Sequence, residues 1–314
     1  MGNGQHERRI QILGIPMDLG QNRRGVDMGP SSIRYARLQG ALEELGHNVF
    51  DLGNISVPIP EVVEPEDRRR KDMPHLKTIG EVCKRAAATA HDMATDGAFP
   101  VFLGGDHSIS IGTVSGVATV GRIGVLWVDA HADFNTPETS PSGNVDGMPL
   151  AALCGLGHPD LVGIGGEVAS VRPEDVVLVG LRRVDIEERR LLADAGVRAY
   201  TMKEIDAYGI AEIVDRALDD FSHLERVHLS LDLDVVDPGI APGVGTPVRG
   251  GLTYREAHLL MELLGEAAAI TSLDVVEINP ILDEKNATAE LAVELVASLL
   301  GRRILDPLRP SRLS

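Results

Sequence analysis

Residues Ile123 to Asn135 read Ile-Gly-Val-Leu-Trp-Val-Asp-Ala-His-Ala-Asp-Phe-Asn. The first half, to Val128, is the apolar run of a strand buried on both faces of a parallel sheet. The second half alternates Asp129, His131 and Asp133 with small or apolar residues. In extended backbone, positions i, i+2 and i+4 share a face, so the strand is expected to deliver two carboxylates and an imidazole together at its carboxyl end. Adjacent carboxylates repel unless a cation lies between them, and a polar loop after a strand has no need of such a pattern. The chemistry indicated is metal ligation.

Three more apolar runs end in chemically loaded residues. Val101-Phe102-Leu103 leads into Gly104-Gly105-Asp106-His107-Ser108, whose glycines suit a tight turn that sets His107 at the mouth of a sheet. Taken alone, that stretch reads equally well as a histidine capping a helix. Val227 to Leu231 leads into Asp232-Leu233-Asp234, and a buried strand does not hold two unpaired aspartates cheaply. Ser272 to Pro280 brings Glu277 to the same edge, where by itself it reads as a surface acid.

Assembled, the candidate ligands are His107, Asp129, His131, Asp133, Asp232 and Asp234. They are too many for one structural zinc, and no thiolate is among them. Two divalent ions bridged by shared carboxylates fit better, because the four aspartates offset two dications. Carboxylate and imidazole suit manganese, and ligand type also admits zinc, cobalt, nickel or iron. Such a pair, roughly 3.5 Å apart, lowers the pKa of the water it binds and supplies hydroxide near neutrality. The expectation is a hydrolase site awaiting an electrophilic carbon.

The elements that must position these residues follow from the pattern of the whole chain. Eight candidate strands are Gln11 to Ile15, Asn48 to Leu52, Val101 to Leu103, Ile123 to Val128, Val176 to Val179, Arg198 to Tyr200, Val227 to Leu233 and Ser272 to Ile278. Helical periodicity marks Ser31 to Leu45, Leu76 to Asp96, Asp185 to Ala195, Ala211 to Phe221, Tyr254 to Leu264 and Thr288 to Leu300. Strands alternating with helices predict an α/β fold, a mostly parallel eight-stranded sheet with helices on both faces. A closed barrel competes, and periodicity alone does not separate the two. Both place chemistry at the carboxyl ends of the strands. Gly53 to Pro74, rich in Pro and charge, reads as a surface loop. No repeat or domain boundary divides residues 1–314, and residues 1–8 read as a flexible lead-in.

A net charge of −17 over 314 residues argues against nucleic-acid and acidic-membrane partners. Arg68 to Lys71 is the only cationic run, and acids flank it. No run is long enough to span a bilayer, and the first eight residues lack a signal peptide's apolar core. The two cysteines, Cys83 and Cys154, are far apart and read as free thiols of a reducing cytoplasm.

Gly104 to Ser108, Asp129 to Asp133 and Ser230 to Asp234 together resemble the three metal signatures of the ureohydrolase family. Asn135 to Asn144 is similar to the substrate loop of its arginase branch, which agmatinases lack. Pro16 to Gly20, Arg24 to Pro30 and Asp237 to Pro247 also look like the bacterial type, and the similarity runs from about Ile10 to Leu305. The resemblance implies a three-layer αβα fold of the arginase/deacetylase kind. It implies two Mn²⁺ per subunit, one held by His107, Asp129, Asp133 and Asp232, the other by His131, Asp129, Asp232 and Asp234. It implies hydrolysis of L-arginine to L-ornithine and urea, in a trimer or hexamer. Glu277 would pair with the guanidinium and Thr246 would line that end. Asn135, Ser140 and Ser142 would take the α-carboxylate, and Asp185, supported by Glu188, the α-amino group. A helix N-terminus decorated with acids is the competing reading of Asp185 and Glu188. Asp133, Asp146 and Glu277 are the acids expected to act on the reaction itself.

Asp146 departs from the pattern, because arginases usually carry a proton-shuttling His there. Aspartate, with an unperturbed pKa of about 3.9, is a poor acid at neutral pH unless its surroundings raise that value. Two alternatives therefore stand beside arginine hydrolysis: a ureohydrolase of another guanidino compound, such as agmatine or a guanidino acid, and a weakened or silent homologue. The Asn135 to Asn144 loop counts against the first, and retention of all six ligands with Glu277 against the second.

Overall fold

A computed structural model describes residues 7–68, 73–166 and 169–303. Its centre is one sheet of eight strands: β1 (Arg9–Ile15), β2 (Asn48–Asn54), β3 (Phe99–Gly104), β4 (Gly124–Val128), β5 (Val176–Leu181), β6 (Arg198–Thr201), β7 (Val227–Asp232) and β8 (Ile270–Val276). All neighbouring strands pair in parallel, in the order β2-β1-β3-β8-β7-β4-β5-β6. The sheet is open, with β2 and β6 at its edges, so the barrel alternative is excluded.

The continuous apolar runs have a simple cause. In β4, Leu126 and Val128 point into one core, while Val125 and Trp127 point into a second. β5 divides the same way, Val177 and Val179 from Val176 and Leu178. A sheet covered on both faces requires apolar residues at both parities, which removes the alternation of a half-exposed strand. Helices Tyr254–Ala267 and Ala287–Leu299 cover one face, and Leu76–Thr95 and Ser110–Ala118 the other.

Two expected elements differ. The helix expected over Ser31 to Leu45 is two helices, Gly29–Tyr35 and Leu38–Glu44, broken where Arg37 takes a left-handed φ of 68°. Gly53 to Pro74 is more than surface loop. It finishes β2, carries the short helix Pro65–Arg68, and buries Asp67, which accepts from the Lys77 and Thr78 N–H groups at 3.0 and 2.9 Å. Those donors lie in the first turn of Leu76–Thr95, so Asp67 caps that helix from outside its own segment. Most of the lead-in 1–8 and most of the cationic run 68–71 lie outside the described residues.

Candidate active site

β3, β8, β7 and β4 are consecutive across the middle of the sheet, and every strand end flagged by the sequence belongs to one of them. The connection from β3 to β4 passes over two strands that the chain lays down much later, opening a crevice at their carboxyl ends.

The Gly104-Gly105 pair serves close approach. Neither residue has a positive φ, but a Cβ on Gly105 would lie 1.7 Å from the Met17 carbonyl oxygen. The turn thereby sets the backbone N–H of His107 2.8 Å from Glu277 Oε1. The expected extended alternation after β4 and β7 also gives way to other local structure. β4 ends at Val128, and Asp133 turns back with a left-handed φ of 50°. Asp232 ends β7 and caps a 3₁₀ turn over Leu233–Val235, its Oδ1 accepting the Asp234 N–H at 2.7 Å. Glu277, just past β8, is left-handed too, with φ 67°. Two non-glycine acids in this region of backbone, both at the site, mark local strain held by surrounding structure.

The six expected ligands converge. His107 Nδ1 lies 3.1, 3.0 and 3.4 Å from carboxylate oxygens of Asp129, Asp133 and Asp232. It is buried and makes no hydrogen bond. His131 Nδ1 lies 2.9 Å from Asp234 Oδ2 and 3.6 Å from Asp129 Oδ1. Ligand atoms of His107, Asp129 and Asp133 lie within 4.8 Å of one another, as do those of Asp129, His131 and Asp234. An orphaned imidazole nitrogen aimed at carboxylate oxygens fits a metal position between them, and Asp129 belongs to both groups. The residues present therefore fit a metal pair.

Neighbouring groups orient these ligands. His107 Nε2 bonds Ser230 Oγ at 2.8 Å, and its ring stacks on Trp127 with centroids 4.0 Å apart. Trp127 Nε1 donates to Asp129 Oδ2 at 3.0 Å, and Thr246 Oγ1 to Asp234 Oδ2 at 3.1 Å. Such partners fix the tautomer and aim of metal ligands. Thr246 thus holds Asp234 as well as lining the cleft.

Crowding of like charges shapes the titration. Burial lowers the proton affinity of His131, but the charge of Asp234 and contacts with Asp129 and Asp234 outweigh it and carry its pKa up to about 12. Burial, then the Asp129 charge, pushes Asp133 up to about 7. Burial also raises Asp232 and Glu277 well above the usual carboxylate range, followed by neighbouring charges: Asp234 and Asp129 for the former, Asp232, Asp146 and Asp106 for the latter. For Asp146, burial and then the charges of Asp106 and Asp133 act in the same direction. The cluster holds extra protons where cations would otherwise sit.

A cleft of about 520 Å³ opens onto this edge. Its lining includes the buried His107, Asp133, Asp232 and Glu277, the half-buried His131 and Asp146, and the exposed Thr246. Asn135, Ser140, Ser142, Asp185 and Glu188 also line it, so the tertiary structure gathers all the residues expected to bind substrate or act on the reaction into one space. Asp185 precedes helix Ile186–Ala195, and Glu188 accepts its backbone N–H at 3.0 Å. The helix-terminus reading holds, since the two form a capping box, and both residues also line the cleft. Glu188 Oε1 also accepts the Phe134 N–H, and Asp185 Oδ2 accepts Asn135 Nδ2 at 3.2 Å, tying the two loops.

Sequence reasoning missed several participants. Gln21 Nε2 donates to Glu277 Oε2 at 3.0 Å across 256 positions of sequence, and no local signal marks it. Arg23 and Arg183 also line the cleft. Asp106, buried, accepts the Gly20 N–H at 2.8 Å and hydrogen bonds from Ser108, pinning the loop that carries Gln21. Trp127 and Ser230 read as core in sequence. Ser230 opens a stretch that resembles a metal signature, but as a hydroxyl in an apolar strand it carried no role of its own.

Fold and site define a metal-dependent α/β enzyme whose centre lies at the carboxyl edge of a parallel sheet. Residues 8–301 match the model of the Arginase family. The chain is 50% identical over 298 residues to the arginase of Bacillus caldovelox, covering 94% of this chain and 99% of that protein. It is 48% identical over 300 residues to that of Bacillus subtilis (strain 168), covering 95% and 100%. The solved structure of the Bacillus caldovelox arginase superposes with a TM-score of 0.91, covering 95% of this chain and 100% of that one. The chain belongs to the arginase family. It is therefore a hydrolase. Among the described residues, no helix is long and apolar enough to cross a membrane.

Proposed function

We propose that the protein hydrolyses L-arginine to L-ornithine and urea with two Mn²⁺ held by His107, Asp129, Asp133 and Asp232, and by His131, Asp129, Asp232 and Asp234. The observation that carries this reading is one cleft that brings together residues of two ligand groups sharing Asp129, a buried acid, Glu277, and the neutral donors Asn135, Ser140 and Ser142. When bound, such a metal pair supplies ionised water and Lewis acidity.

The chain's own residues do the rest. Glu277 takes the planar guanidinium, its two oxygens aimed by the His107 N–H and Gln21. Ser140 and Ser142 hydroxyl oxygens accept the Gly143 and Asn144 N–H groups at 3.0 and 3.1 Å and share one hydrogen bond between them at 3.4 Å, so the pair keeps one hydroxyl proton to offer an α-carboxylate. Asp185 takes the α-amino group, with Glu188 and Asn135 fixing its loop. Water adds to the guanidinium carbon, the bond to the side-chain nitrogen breaks, and that nitrogen leaves as an amine after gaining a proton. Asp146, its proton affinity raised by burial and like charge, is the donor within the cleft.

We further read residues 1–314 as one catalytic domain that works in the cytoplasm as a trimer or hexamer, with no nucleic-acid or membrane partner. The buried free thiols Cys83 and Cys154 suit that compartment, and light scattering measures the assembly. A urea assay on L-arginine beside agmatine, with added Mn²⁺, tests the activity. Urea from arginine alone is the expected result. Turnover of agmatine in preference to arginine, or of neither, overturns the reading.

A further inference from the structure

We propose that Arg183 is a specificity-determining cation that favours a guanidino substrate bearing a carboxylate over one whose carboxylate is neutral; this rests on the arginine-hydrolase reading above. Arg182 and Arg183 follow β5 on one loop, both backbone N–H groups anchored to the Ala130 carbonyl at 3.0 and 3.1 Å. The two side chains then do opposite things. Arg182 turns inward and donates to the carbonyl oxygens of Asp234, Val235 and Val248. Arg183 is exposed and lines the cleft.

Two arginines line that cleft, and only one is engaged. Arg23 gives Nη1 to the Gly245 carbonyl at 2.8 Å. The Arg183 guanidinium has no hydrogen bond or ion pair among the described residues. Around it the cleft is lined by Asp133, Asp146, Asp185, Glu188, Asp232 and Glu277. Metal ions and the substrate guanidinium offset the inner acids, whereas the outer ones remain to repel an entering α-carboxylate. Asn135, Ser140 and Ser142 offer hydrogen bonds but no charge. Arg183 supplies it. It stands two positions before Asp185, so one loop presents a cation and an acid, a match for the carboxylate and ammonium of an α-amino acid.

The test uses the full-length, Mn²⁺-loaded enzyme with Arg183→Gln and Arg183→Glu. Substrates are L-arginine and L-argininamide, whose amide removes the charge; the second serves as a competitive inhibitor if it is not turned over. Arg183→Gln is expected to raise KM for arginine by about two- to fivefold, the range of an exposed charge pair. Arg183→Glu should raise it by about tenfold, and both effects should shrink in high salt. The constant for argininamide should stay put or fall, and the loss should sit in KM, not kcat. Equal shifts for both ligands, no shift in either, or a loss confined to kcat would overturn the proposal. If the unaltered enzyme releases no urea from arginine, the functional reading fails and takes this inference with it. If it does release urea and the variants match it, only the role of Arg183 fails.

Discussion

Replacing Gln21 by Met removes one of the two donors that aim Glu277 while preserving length and bulk. Glu277 is buried, and burial together with Asp232, Asp146 and Asp106 already favours its protonated form. The two bonds opposing that tendency are the His107 N–H at 2.8 Å and Gln21 Nε2 at 3.0 Å. A hydrogen bond to a charged group contributes about 1.5–3 kcal/mol. At about 1.36 kcal/mol per unit, its loss raises the Glu277 pKa by a further one to two units. Only ionised Glu277 pairs with a guanidinium, so the acid limb of the kcat/KM profile should move to higher pH by that amount. On the limb, kcat/KM falls by about ten- to a hundredfold; above it the two enzymes converge, because both then hold Glu277 ionised. The assay is urea release from L-arginine across the pH range, with metal content measured in parallel. A profile within twofold of the unaltered enzyme throughout would refute the reasoning. A uniform drop accompanied by metal loss would do so too, since it would make Gln21 a structural residue.

Three further outcomes are expected. Asp146→His should raise kcat near neutral pH by tenfold or more, because imidazole holds both protonation states there and general acid–base assistance is worth about 10²- to 10⁴-fold; identical kcat and pH profiles for Asp, Asn and His at 146 would remove it from the proton path. Asp185→Ala should raise KM for arginine with metal content unchanged, measured by elemental analysis, whereas a fall in metal content would make Asp185 structural. Metal uptake should release protons: in the metal-free site the carboxylates outweigh burial and hold His131 protonated up to about pH 12, so Mn²⁺ must displace that proton. Calorimetry near pH 8 in buffers of different ionisation enthalpy checks this, and it follows that metal binding weakens as pH falls.

How much of this was legible in the sequence depends on the range over which each feature is determined. Apolar runs at both parities, helical periodicity and the acids and imidazoles clustered at strand ends are local, and they were sufficient for an α/β sheet of eight strands and for all six candidate ligands. Local pattern did less well on backbone detail. Asp129 to Asp133 converge through a bend and a left-handed Asp133, because a tertiary cluster of carboxylates overrides the extended alternation of a lone strand.

What only the tertiary structure decided is adjacency. That β8 and β7 fall between β3 and β4 places Glu277 beside His107 across 170 positions, and Gln21 beside Glu277 across 256. Strand order, the choice of open sheet over barrel, and the turning of Arg182 inward and Arg183 toward the cleft all depend on long-range pairing and packing. Side-chain type at one position carries no record of them. The residues name the chemistry because it needs particular atoms; the fold supplies the distances because they are set by elements far apart in the chain.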